Sequence, residues 1–170
     1  MGELLRRRAM MTSAGEPPYP RIILPYGGTP WSTMVSIAAP NVLYVGQQNW
    51  NRAMYNLRDR TRTDPQKTFT TEWFSIPANA ECKLVLRNVQ RKPGGADALN
   101  IEMHLVDISK VNVATVGTGN IAKNAAPQTV STTFTTTDVV SVSNIYVRGY
   151  STSKNFMAEC ELWVNGKKWL

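Results

Sequence analysis

Short runs of alternating hydrophobic and polar residues dominate the chain after residue 68. They span residues 69–76, 81–88, 99–107, 111–116, 129–135, 141–148 and 157–164. The runs are rich in β-branched and aromatic residues and are separated by segments rich in Gly, Pro, Asn and Ser, a pattern typical of strands joined by turns. We therefore predict an all-β fold, an antiparallel β-sandwich of jelly-roll type with about 7–8 strands.

Alternation within two of these runs predicts which side chains face the core, because successive side chains of a strand point to opposite faces. The predicted core residues are Ala158, Cys160, Leu162 and Val164 in the last run, and Cys82, Leu84 and Leu86 in the second. Both cysteines then point inward. We interpret them as core thiols, with a disulfide as the alternative.

Two glycine-containing segments predict turns. The ending ELWVNGKKWL contains Asn165-Gly166, the preferred pair for a type I′ turn. A two-residue loop there places Leu162 opposite Trp169 and Trp163 opposite Lys168, so the chain is predicted to end as a hairpin. The GTGN sequence at residues 117–120 also reads as a turn between two extended runs.

Residues 1–68 have a different pattern and hold most of the prolines. Prolines interleaved with apolar residues over 17–31 favour extended chain, and residues 4–11 have the spacing of a short helix. We predict an anchoring arm over 1–68 that precedes a sandwich over 69–170. The predicted partner-docking residues are Leu4, Leu5, Arg6, Arg7, Arg8, Met11, Tyr19, Ile22, Ile23, Leu24, Tyr26 and Trp31.

A second short helix is predicted near the end of this first part. Trp50, Ala53, Met54 and Leu57 follow the i, i+3, i+4, i+7 spacing of an amphipathic helix. Its apolar stripe is expected to pack against the domain that follows.

Composition and charge narrow the class of protein. The 170 residues include 19 Lys and Arg against 12 Asp and Glu, and 18% are charged, compared with about 25% in an average soluble domain. The net charge of +7 thus reflects scarce acids. Three consecutive arginines are a small footprint for phosphate binding, so direct nucleic-acid binding is not favoured. No apolar run is long enough for a membrane helix or a secretory signal, and we expect synthesis in the cytoplasm.

The sequence offers few side chains for catalysis. His104 is the only histidine, it lies at an outward position of a predicted strand, and no close cluster of metal ligands or glycine-rich phosphate loop accompanies it. We predict no enzymatic activity, no metal and no cofactor. A carboxylate pair drawn from Glu72, Glu102, Glu159 and Glu161 remains the catalytic alternative.

Several aromatic side chains are predicted to point away from the core. Trp163 alternates with core residues, and Trp73 and Phe74 are neighbours that cannot both face inward. The candidates for contact with a glycan or another subunit are Trp73, Tyr146, Tyr150 and Trp163. A carbohydrate-binding β-sandwich is therefore the alternative function.

The opening GELLRRRAMM, the Pro/Tyr/Ile-rich arm and the threonine-rich strands resemble virion proteins of tailed bacteriophages, of the fibre or particle-attachment type. The resemblance implies a non-enzymatic structural component whose arm docks to a capsid, tail or fibre partner. It implies other virion proteins as partners and a homo-oligomer, with a trimer favoured. The expected location is the virion, after synthesis in the cytoplasm of a bacterial host.

Overall fold

The computed structural model describes residues 36–38, 42–45, 54–59, 69–91, 99–122, 125–150 and 156–170. These residues form eleven strands and no helix. The strands are β1 (Ser36–Ala38), β2 (Val42–Val45), β3 (Met54–Asn56), β4 (Phe74–Ile76), β5 (Glu81–Arg91), β6 (Leu99–Asp107), β7 (Asn112–Ile121), β8 (Gln128–Thr135), β9 (Val140–Tyr150), β10 (Phe156–Val164) and β11 (Lys167–Lys168).

The strands make two antiparallel sheets. In the first sheet the order is β1-β2-β10-β5-β8, and β11 pairs with β10. In the second sheet the order is β3-β9-β6-β7, and β4 pairs with the beginning of β9. From β2 onward the chain passes repeatedly from one sheet to the other, which gives the strand order of a double-sheet jelly roll. The predicted all-β antiparallel sandwich is confirmed, with eleven strands in the described residues where about 7–8 were expected.

The core lies between the two sheets. Its largest fully buried side chains are Phe156, Ile76, Leu84, Leu86, Ile101, Met103, Leu105, Ile121, Ile145 and Leu162. The predicted inward faces of β5 and β10 are confirmed, since every residue assigned to them is buried. Cys82 and Cys160 are both free. Burial raises the pKa of the Cys82 thiol to about 11 and that of Cys160 to about 12, so both remain protonated at neutral pH.

The predicted C-terminal hairpin is also confirmed. Asn165 and Gly166 have φ angles of 48° and 75°, the left-handed conformations that a type I′ turn requires. Trp163 pairs with Lys168, and the Trp169 amide donates to the Leu162 carbonyl at 2.7 Å. The hairpin is further fixed to β5, because the Asn165 side-chain oxygen accepts from the Glu81 amide at 2.9 Å.

The helix predicted at residues 50–57 is wrong where the structure describes it. Met54–Asn56 form strand β3, which pairs with Tyr146–Arg148 of β9. Tyr55 is buried in the core and Asn56 faces the opposite way. The exposed edge of β9 supplies backbone hydrogen bonds and the core supplies apolar burial, and together these override the local helical spacing. Residues 50–53 lie outside the described residues.

The turn predicted at residues 117–120 is wrong as well. These residues continue β7, and the break in alternation is absorbed by a bulge. Asn100 pairs with Asn120 and Glu102 pairs with Gly117, so β7 carries one extra residue between these pairs. Gly119 has a φ angle of 64°, a conformation that glycine adopts without strain at a bulge.

The change of composition at residue 68 does not coincide with the beginning of the sheets. Strand β2 pairs with β10, and strand β3 pairs with β9. The two sheets thus include residues that the sequence had assigned to the arm. The partner-docking residues from Leu4 to Trp31, and the short helix predicted at 4–11, lie outside the described residues.

Candidate functional site

The outer face of the first sheet carries a polar cluster built from three adjacent strands. The register places Trp163 of β10 beside Lys83 of β5 and Lys168 of β11. One step along the sheet, Glu161 lies beside Val85. Because alternate residues share a face, Lys83, Val85 and Arg87 form one outward row on β5. We call this surface the β5–β10 face.

Glu161 is the centre of this cluster and is only 3% exposed. Its carboxylate accepts hydrogen bonds from Arg87 Nε and Nη2 at 3.1 and 3.2 Å, from Trp163 Nε1 at 2.8 Å, and from Lys168 Nζ at 2.9 Å. Burial raises the pKa of this carboxyl, but the four hydrogen bonds outweigh burial and hold the pKa at about 2. Glu161 is therefore ionised at neutral pH and fixes the positions of its three donors.

An open depression of about 680 Å³ lies on the β5–β10 face. Its lining residues are Glu81, Cys82, Lys83, Val85, Arg87, Thr133, Phe134, Thr135, Trp163 and Gly166. The depression thus combines one indole ring, the two cations Lys83 and Arg87, the Glu81 carboxylate and threonine hydroxyls. These groups can stack against a ring and form hydrogen bonds, which are binding interactions, and the described lining does not include a nucleophile paired with a base.

The outer face of the second sheet holds a separate polar cluster around His104. The Glu102 carboxylate accepts from His104 Nε2 at 2.9 Å, and His104 Nδ1 lies 3.1 Å from the Thr115 hydroxyl. The imidazole stacks on Tyr146 with ring centroids 4.6 Å apart. His104 points outward as predicted, but it is only 8% exposed. Burial lowers its pKa and outweighs the opposing effect of Glu102.

A third surface lies at one end of the sandwich, where the β6–β7 turn meets the loop before β9. It contains Ile108, Val111 and Val139, which are 43%, 58% and 61% exposed. The β6–β7 turn lies beside the start of β9, because the Ile108 amide donates at 2.9 Å to the carbonyl of Ser141, two residues after Val139. We call these three residues the apolar end. Large apolar side chains exposed together are typical of contact sites for other proteins.

The four aromatic residues predicted as glycan or subunit contacts do not form one site. Trp163 lines the depression of the β5–β10 face, whereas Tyr146 stacks against its cross-strand partner His104 on the other sheet. Trp73 precedes β4, is partly buried, and packs edge-on against Phe74 at 5.1 Å. Tyr150 ends β9, and its side chain lies outside the described residues.

Sequence reasoning missed the cations around Glu161. The position of Lys168 could have been predicted, since the predicted hairpin places Lys168 opposite Trp163, and Trp163 is two residues after Glu161. The position of Arg87 could not, because its contact depends on the register between β5 and β10. Glu102 and Glu161, two of the acids considered for a catalytic pair, lie on opposite outer faces.

Among the described residues, no three His, Cys, Asp or Glu side chains come together as a metal site. Nor does any helix there have the length and apolarity needed to cross a membrane.

Comparisons with known proteins give one structural similarity. No protein-family model matches the chain, and no curated protein matches it. Among solved structures, it is similar to a chain described as "Structure of infectious bursal disease virus Gt strain", at 13% sequence identity and a TM-score of 0.32. The match covers 85% of this chain and 38% of that one, so this chain spans well under half of the matched protein. A likeness at this level adds no argument about function.

Proposed function

We propose that this chain is a non-enzymatic structural protein of a virus particle, held there by contacts between protein surfaces. The observation that carries the proposal is the jelly-roll order of the two sheets. This architecture recurs in viral capsid domains, although lectins and cupins share it. Since a fold alone does not fix a function, the surfaces must also fit the proposed role.

The apolar end supports the proposal. Ile108, Val111 and Val139 project from turns that the sheets hold in place, and each leaves a large part of its side chain in water. Covering such side chains with another protein gains about 25 cal/mol per Å² of apolar area. Within the described residues, no other large apolar side chain is as exposed, so this end is the part of the described surface that best suits a protein contact.

The finer part of the proposal follows from the resemblance to virion proteins of tailed bacteriophages. In that version, the arm before residue 36 docks on a capsid, tail or fibre protein, and the sandwich forms a homo-oligomer. An arm rich in proline and apolar residues gains burial on a partner surface, and the ordering entropy of about 1–2 kcal/mol per residue offsets much of that gain. Repeated copies in a particle would strengthen the attachment.

Mass spectrometry of purified virus particles that carry this gene tests the proposal. We expect the chain among the particle proteins, in copies that remain after a salt wash. Finding it in the infected-cell lysate while it is missing from purified particles would refute a structural role. Deleting residues 1–30 tests the arm separately, because we expect the truncated chain to fold and to fail to enter particles. Normal incorporation of the truncated chain would remove the arm from the mechanism.

A further inference from the structure

We propose that the depression on the β5–β10 face binds an acidic saccharide, with a sugar ring against Trp163 and its carboxylate or sulfate group beside Lys83. The proposal goes beyond a structural role, because it assigns a ligand to a surface separate from the arm and the apolar end, which carry the proposed assembly contacts. It rests on the shape of the depression, on the fixed orientation of two side chains, and on the charge of a third.

Trp163 is held in one orientation. Its Nε1 donates to the buried Glu161 carboxylate at 2.8 Å, which ties one edge of the indole to the sheet. The remainder of the ring lines the depression. An aromatic ring already fixed in place loses little conformational entropy when a sugar stacks on it, so its apolar area is available for binding.

Arg87 is fixed by the same carboxylate. Its Nε and Nη2 both donate to Glu161, while 43% of the side chain stays exposed at the depression. The Glu161 carboxylate also accepts a hydrogen bond from Lys168, so this single anion is paired with two cations. Arg87, Lys168 and Glu161 together carry one net positive charge, and the Glu159 carboxylate, at the next outward position of β10 and bonded to Asn88 at 3.2 Å, offsets it. The cation left for a ligand is therefore Lys83.

Lys83 supplies the cation that is free to bind. It lies between Trp163 and Thr133 in the register of the sheet, and it is exposed. Glu81, two residues earlier on the same face of β5, also lines the depression, so an acidic group binds on the side of Lys83 away from Glu81. Within the described residues, no ion pair includes Lys83. An acidic group beside it would form a charge-assisted hydrogen bond, while the Thr133 hydroxyl can bond to a neighbouring sugar hydroxyl.

A saccharide fits this surface better than a second protein does. The volume of about 680 Å³ lies within the range of small-molecule sites. Protein contacts usually centre on a desolvated apolar cluster. Here Trp163 is accompanied by charges and hydroxyls, and the exposed apolar residues of the described chain lie at the apolar end instead.

Isothermal titration of the full chain tests the proposal with three disaccharides of one length. One carries a carboxylate, one a sulfate, and one is uncharged. We expect both acidic probes to bind at least about tenfold more tightly than the uncharged one. The difference between carboxylate and sulfate identifies which source of charge is preferred. Absence of binding by all three at millimolar concentration, or equal binding by all three, would overturn the proposal.

Variants locate the site. Lys83→Gln should weaken the acidic probes about tenfold and leave the uncharged probe unchanged, whereas Trp163→Ala should weaken all three. Lys110→Gln is the matched control, because it removes one exposed lysine at the β6–β7 turn, away from the depression. An equal loss in the control would show non-specific charge attraction. If Trp163→Ala instead changes the oligomeric state seen by light scattering, the face is a subunit contact and the proposal is wrong. Thr133→Val provides a second variant should Trp163→Ala fail to fold.

Discussion

Replacing Glu161 with glutamine tests whether an ionised carboxylate holds the β5–β10 face together. The pKa of this carboxyl is about 2, against an ordinary value of 4.5. Burial alone would raise it, so the donors from Arg87, Trp163 and Lys168 supply the reduction. By linkage, this difference corresponds to about 3 kcal/mol of stability at neutral pH. Because the folded pKa lies below the unfolded one, the contribution is complete above the unfolded pKa and is lost as pH falls toward the folded pKa.

We expect Glu161→Gln to lower the free energy of unfolding by about 2–3 kcal/mol at pH 7. This loss is smaller than the loss of about 3–5 kcal/mol that is typical when a buried ion pair is broken, because Arg87 and Lys168 are partly exposed and remain hydrated. At about pH 3 the carboxyl is protonated in the unfolded chain but still mostly ionised in the folded protein, so the difference between the two proteins should fall to about half or less.

Equilibrium unfolding in urea, followed by tryptophan fluorescence at both pH values, measures this difference. The matched control is Glu159→Gln, at the next outward position of the same strand, whose carboxylate accepts one bond from Asn88. We expect the control to change stability by less than about 0.5 kcal/mol. A loss in Glu161→Gln that is equally large at pH 3 and pH 7 would mean that packing, rather than the charge, accounts for it, and the reasoning would fail.

Three further substitutions test other parts of the fold by urea or thermal unfolding. Arg58→Ala should lower the free energy of unfolding by about 1–3 kcal/mol, since Arg58 Nη1 donates to the carbonyls of Thr71 and Ser143 at 2.7 and 2.9 Å. A stability equal to wild type would contradict this connection between β9 and the segment before β4. Gly166→Ala should lower the free energy of unfolding by about 1 kcal/mol, because the φ angle of 75° at this position is strained for a residue with a Cβ. An unchanged melting temperature would argue against the type I′ turn. In the wild type, the melting temperature should fall below about pH 6.5, because burial lowers the pKa of His104 and the unfolded chain therefore binds the proton first. His104→Gln should make this fall less steep. An identical pH dependence in both proteins would exclude His104 as its source.

Local signals in the sequence were sufficient for the hairpin and for the inward faces. Asn165-Gly166 selects its turn from two residues alone, and the alternation around Cys82 and Cys160 needs no knowledge of the partner strand. Strand β3 could not be predicted in this way, because Met54 pairs with Arg148 at the far end of the sequence. Until that partner edge is known, the helical spacing is the stronger local pattern.

The contacts of the candidate site likewise divide into those that local sequence signals predict and those that depend on strand pairing. The outward positions of Trp163 and Glu161 follow from alternation, and Lys168 follows from the hairpin. The contact of Arg87 with Glu161 depends on the β5–β10 register, which is set by the packing of two whole sheets. The burial of His104 has the same origin, since the stacking of His104 on Tyr146 requires β6 to lie beside β9.

Both polar clusters connect strands across the outer face of a sheet, and this affects how the surfaces can work. Glu161 joins β10, β5 and β11, while His104 lies among bonds that join β6, β7 and β9. Each cluster therefore restrains the middle of its sheet from the solvent side, opposite the apolar core. The residues available for contact, at the apolar end and around the depression, project from this restrained framework. A ligand or partner would then bind on sheets that are already ordered, and little of the binding energy would be lost to their rearrangement.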